Sequence, residues 1–178
     1  MITLIHGLLK KFIDAMGVLC VVFMVAMVVN VFYNVIMRYL FNDVSIGLQE
    51  LEWHFFASMF MFGIGYTLKE DAHVRVDIFY EKMLPHTQAY INIVAALIFA
   101  LPIASIVLYY GFSYALDAYQ IGEGSPDPGG LPHRWIIRAV IPASNLFLII
   151  CIFYHIFDNV LRLRGPNVHE EHIHHEGV

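Results

Sequence analysis

Three groups of side chains have the residue types and spacing that chemistry would need. His54 and His155 each fall in or beside an apolar run, and two histidines on facing helices can ligate a haem iron. Glu50 and Glu52 open one apolar run just after Arg38 closes the run before it. Carboxylates at such a border could bind a proton or a coupling cation, or be neutralised by the arginine across a short turn. Both glutamates sit near the edge of the run and not at its middle, where transported-ion sites usually lie, so an ion pair with Arg38 is the expectation. The third group is the tail HEEHIHHEGV, with His169, His172, His174 and His175 among Glu170, Glu171 and Glu176. Histidine-rich tracts can bind metal. Without a scaffold to fix coordination geometry this one reads as a solvated tail, and no metal site is expected.

The sequence has no GxxxxGK[ST], GxSxG, HExxH or paired CxxC, so nothing in it supports ATP hydrolysis, acyl transfer or zinc catalysis, and no enzymatic activity is expected. No cofactor is expected either. Composition points to the membrane: 59% of the 178 residues are hydrophobic and 14% charged, against about 25% charged in soluble domains. The net charge of -5 is modest and argues against nucleic acid as a partner. Cys20 and Cys151 both lie in apolar runs, where a thiol behaves as a small hydrophobe.

The elements that must position these groups are membrane helices. The expected architecture is an all-α membrane protein with four transmembrane helices in a tilted bundle, occupying residues 1–165. The helices are expected at about 10–40, 47–69, 86–119 and 134–163, with a short interfacial amphipathic segment at about 74–84 and a flexible cytoplasmic tail at 166–178. Lys10 and Lys11 before the first run resemble the start of a signal peptide, but the run is long and lacks a small-residue cleavage site, so a retained first helix is expected. Asn30 and Asn34, one turn apart on that helix, should face a neighbouring helix. Pro102 and Pro142 fall inside the third and fourth spans, where freed carbonyls can find other donors. The stretch GEGSPDPGGLP, Gly122 to Pro132, holds three prolines and four glycines and must be a loop. Lys10, Lys11, Lys69, Arg75, Lys82, Arg162 and Arg164 fall on one side of four crossings, with Arg38, Arg134 and Arg138 on the other. The positive-inside rule then places both termini in the cytoplasm. In that topology His54 and His155 lie towards opposite faces of the bilayer. This weakens the rival reading, a haem-bearing membrane anchor of a respiratory complex.

Four stretches in this order, RYLFN, QELEW at the start of the second helix, GIGYTL near its end and HVRVDIFY after it, make the chain resemble the small membrane subunit of the tripartite ATP-independent periplasmic (TRAP) transporters, the DctQ-like family. The resemblance covers nearly the whole chain. It implies a bacterial inner-membrane complex in which a larger multi-span subunit, expected in one-to-one ratio, carries a sodium-coupled elevator-like path for an organic acid. A periplasmic substrate-binding protein would deliver the substrate, and the small subunit would act as scaffold. Arg38, Glu50, His73, Arg75 and Asp77 correspond to recurrent family positions, expected to fix helix ends and the subunit interface. Here Gly47-Leu48-Gln49-Glu50 replaces the family's frequent Trp-x-x-Glu entry, and Trp53 follows the carboxylate, which leaves the family role open between Glu50 and Glu52. Asp127 and Arg134, in or beside the proline-rich loop, are candidate contacts for the binding protein.

Overall fold

The structure, a computed structural model, describes residues 2–70, 80 and 82–164. Four long helices account for most of them: α1 (Ile2–Leu40), α2 (Ile46–Lys69), α3 (Pro85–Gln120) and α4 (Trp135–Arg164). Three are long and apolar enough to cross a membrane, over His6–Leu40, Pro85–Gln120 and Trp135–Leu163. The fourth, α2, is not among them, because Glu50, Glu52, His54 and Lys69 lower its mean hydropathy. The interfacial segment expected at about 74–84 lies outside the described residues except for Tyr80 and 82–84, as do His73, Arg75, Asp77 and the tail.

Successive helices run in opposite directions. Asp14 meets Lys69 and Asn30 meets Leu48, so α1 and α2 form an antiparallel hairpin. Asn92 meets Asn159 and Tyr119 meets Trp135, so α3 and α4 form another. The packing order is α1, α2, α4, α3, with α1 also touching α4 near its own N-terminus. The centre of the row is α4: 33% of its most apolar window is buried, against 6% for α1 and 11% for α3. The outward faces of α1 and α3 expose Val18, Val21, Val25, Phe32, Phe99, Ile103 and Ile106. Such surface is stable only against lipid or another protein.

Local sequence explains the helix ends and crossings. Ser45 caps α2, its hydroxyl oxygen accepting the Leu48 N–H at 3.3 Å. Asn42, with φ 51°, turns the chain after α1 so that the Asp43 N–H donates to the Met37 carbonyl. Where α2 crosses α4, Gly65 lies flat on the Phe147 ring: a β-carbon there would sit 2.6 Å from Cε1. A similar approach brings Gly17 of α1 against Tyr66. Small residues at such crossings let backbones close in, which is how membrane helices gain packing without a hydrophobic driving force.

The third helix presents a stripe of small buried residues to α4: Ala89, Ala96, Ala104, Gly111, Ala115 and Ala118. The steps are heptad-like except from Ala96 to Ala104, which carries one residue more. A π-turn over Ala96–Ala100 absorbs that extra residue just before Pro102, whose ring and missing N–H disfavour regular α geometry. In α4, Pro142 packs against Gly111, and the Ser144 hydroxyl and Asn145 amide both donate to the Ile141 carbonyl, at 2.9 Å each.

Candidate functional site

Polar side chains gather at the two ends of the array. At the end carrying the α1–α2 turn, the Glu50 carboxylate reaches the connection between α3 and α4, not Arg38. It accepts a hydrogen bond from the Ser125 hydroxyl and another from the Leu131 N–H at 2.6 Å. The loop lies flat on the start of α2: Gly47 is buried beneath the Gly129 carbonyl and Leu131, and Gly130 passes so close to Ser125 and Glu50 that a side chain would collide. Gly129, at φ 82°, supplies the left-handed turn that brings the Leu131 N–H round to the carboxylate.

This corrects the expected Arg38 ion pair. Arg38 is exposed in the last turn of α1 and has no ion pair among the described residues. Its position in that last turn complements the negative end of the helix dipole. Glu52 is half-buried and makes no ion pair among the described residues, so Glu50 is the carboxylate that joins elements. Trp53 is exposed, its ring edge-on to His54. The His54 Nδ1–H donates to the Glu50 carbonyl at 2.5 Å within the helix.

The same loop is pinned from its other side. Glu123 accepts a bond from Arg138 at 2.5 Å, lies 3.9 Å from the Arg134 Nε, and through its backbone carbonyl holds the Arg134 N–H at 2.9 Å. The Arg138 guanidinium stacks on Tyr114, 4.0 Å from the ring centroid. Arg134 is therefore half-buried in the loop base, whereas Asp127 is exposed at the loop's turn, its carbonyl accepting the Gly130 N–H. Sequence reasoning missed Glu123, Arg138 and Tyr114 as a unit. The available signal was an arginine one turn inside an apolar helix, which must have a partner.

At the opposite end Lys69, the last residue of α2, bridges Asp14 of α1 at 2.6 Å and Glu70 at 2.5 Å, its side chain only 10% exposed. The Lys69 ammonium holds the Glu70 carboxyl below its ordinary range, mainly through that hydrogen bond. His6 stacks on Tyr154 and lies 3.5 Å from Asp158, which Arg162 also contacts at 3.0 Å. Between α3 and α4, the Asn92 amide donates both to Tyr80 Oη and to Asn159.

His54 and His155 do not meet. Glu50 of α2 lies beside Leu131 and Gly65 beside Cys151, so α2 and α4 run in the same direction. Along that direction the two histidines are separated by roughly 20 Å, from a rise of 1.5 Å per residue, and one iron cannot take both. Among the described residues no group of three histidine, cysteine, aspartate or glutamate side chains is placed to hold a metal ion.

A row of long apolar helices, joined by a clasped loop at one end and ion pairs at the other, defines a helical integral-membrane protein. Residues 27–162 match the family described as the DctQ component of tripartite ATP-independent periplasmic transporters. The chain is also 31% identical over 143 residues, 80% of its own length and 85% of the relative's, to a Haemophilus influenzae protein named as a TRAP transporter small permease protein. The chain belongs to the DctQ family of TRAP transporter small subunits.

Proposed function

We propose that this chain is the scaffold of a TRAP-type secondary transporter, holding a larger membrane subunit that carries out sodium-coupled uptake of an organic acid delivered by a periplasmic binding protein. The observation that carries the reading is the division of surfaces in the helix row. Its interior is closed: Ser58 and Ser144 donate to carbonyls of their own helices, and Phe147, Cys151 and Ile152 fill the space beside them. Its outward faces are apolar along almost the full length of α1 and α3. Such a unit supplies a fixed wall against which another subunit can move.

In this reading α2 is the fourth crossing. Its 24 residues extend about 36 Å, and its neighbours α1 and α4 shelter it, so it needs less hydropathy than a helix facing lipid. Lys10, Lys11, Lys69, Lys82 and Arg162 share one end and Arg38, Arg134 and Arg138 the other, which supports cytoplasmic termini and an inner-membrane location. The Glu50-clasped loop then faces the periplasm, with exposed Asp127 as the candidate contact for the binding protein. Arg134 stays within the loop base and helps hold its shape.

The test is purification from native membranes in mild detergent, followed by mass spectrometry. A large polytopic protein in fixed one-to-one ratio is the expected result. Recovery of the chain alone, or with haem and soluble redox subunits, would overturn the proposal.

A further inference from the structure

Two cavities at the end where α1 begins and α4 finishes join into one composite site. The first, about 240 Å³, is polar and is lined by Lys10, Lys69, Glu70, Asp158 and Arg162, with Tyr154 at its wall. The second, about 360 Å³, is an open apolar groove along α3 and α4, lined by Ala95, Ala96, Phe99, Ile103 and Ile152. Asn92 and His155 line both, so the polar chamber and the groove meet at these two side chains. A charged chamber at a helix-end level that passes into an apolar channel along the helices matches a molecule with a charged head and a hydrocarbon chain.

We propose that this composite site binds one phospholipid, its headgroup in the polar chamber and an acyl chain in the α3–α4 groove. Lys10 is exposed and has no ion pair among the described residues, and Arg162 contacts Asp158 through Nε, 65% of its side chain remaining exposed. These two cations are the ligands for the phosphate. Lys69 is already shared between Asp14 and Glu70 and contributes less. The carboxylates decide the headgroup class. Glu70 and Asp158 line the same chamber as the cations and, although each already meets a cation there, keep oxygen lone pairs that a primary ammonium can reach and a purely anionic headgroup cannot use. A quaternary ammonium has no N–H to give them. The site therefore fits a phosphoethanolamine headgroup best. This inference requires only that the helices lie in a bilayer and does not depend on the transporter scaffold role.

The experiment is native mass spectrometry of the full-length chain, delipidated and then reconstituted with phosphatidylethanolamine, phosphatidylglycerol or phosphatidylcholine. Two variants probe the two halves of the site: Lys10→Ala with Arg162→Ala in the chamber, and Ala95→Phe, which fills the groove from an exposed position on α3. Circular dichroism and elution volume verify folding of each variant. One bound phosphatidylethanolamine is expected, held in preference to the other two lipids. Retention should weaken roughly thirtyfold in the double variant, about one screened charge contact per cation, and at least as much in Ala95→Phe. Equal retention by the folded variants, or a preference for phosphatidylglycerol or phosphatidylcholine, would overturn the assignment.

Discussion

Gly63 and Gly65, two residues apart on α2, should respond to the same substitution with opposite signs. Gly63 has open space where a β-carbon would go, whereas at Gly65 that carbon would sit 2.6 Å and 2.8 Å from two ring atoms of Phe147 and 3.1 Å from the Cys151 sulfur. Phe147 is buried and packs against Phe12 and Phe62, with ring centroids 5.9 and 6.1 Å away, so its ring has nowhere to swing. An added methyl at Gly65 forces α2 and α4 apart, an overpacking cost of about 1–3 kcal/mol. Replacing glycine in a helix returns up to about 1 kcal/mol at either position. Gly63→Ala should therefore be stabilising by a few tenths to 1 kcal/mol. Gly65→Ala should be destabilising by about 1–2 kcal/mol, a fall of several degrees for a chain of this size. Thermal unfolding in detergent, followed by fluorescence-detected size exclusion, measures both. In a Phe147→Leu background the penalty at Gly65 should largely vanish, a coupling of at least about 1 kcal/mol. If Gly65→Ala stabilises as much as Gly63→Ala, or the double variant shows no coupling, α2 and α4 do not cross at this point.

Other consequences can be checked singly. Glu50→Gln keeps one acceptor oxygen for two donors, so the Gly122 to Pro132 loop should exchange its amide hydrogens faster, while Arg38→Gln should leave that exchange unchanged. Asn30 donates to the Leu48 carbonyl at 2.8 Å, and Asn34 carries a buried amide nitrogen without a partner among the described residues. Asn30→Ala should cost about 1 kcal/mol, whereas Asn34→Leu should be neutral or stabilising, both read from thermal unfolding. The Glu70 carboxyl is held below its ordinary value of 4.5, so its contribution is present above that value and lost as pH falls through the lower folded one. Glu70→Gln should flatten the acid limb of the stability profile between those two values.

The helices were legible because long apolar runs and a proline-rich loop leave few alternatives, and the family resemblance follows from short motifs in a fixed order. The start of α1 was less so: Lys10 and Lys11 suggested a boundary near residue 10, yet the helix begins at Ile2, since lysines are compatible with a helix that extends beyond the bilayer. The Arg38 expectation failed for a geometric reason. Nearness across a five-residue turn says nothing about helix rotation, and the partner Glu50 does find lies 75 residues away, in a loop whose sequence shows only that it turns. Asn30 was read correctly, because a buried amide in an apolar helix has few places to go. The Glu123, Arg138 and Tyr114 assembly depends on long-range registration between α3 and α4, which local spacing does not encode.

The π-turn in α3 divides one continuous helix into two parts that are clocked separately. The part after it is set by Gly111 against Pro142, and the part before it by Asn92 against Asn159. Removing one residue from Ala96–Ala100 would let the helix return to regular α geometry without breaking it. The first eleven residues, Pro85–Ala95, would keep their facing towards α4, because the π-turn already takes up the rotation of about 100° that the surplus residue would add in a regular helix. Asn92 would stay beside Asn159 and Gly111 beside Pro142. The surplus residue and its π-turn cancel one another in rotation, so both ends of α3 present a single face to α4 despite the break in spacing.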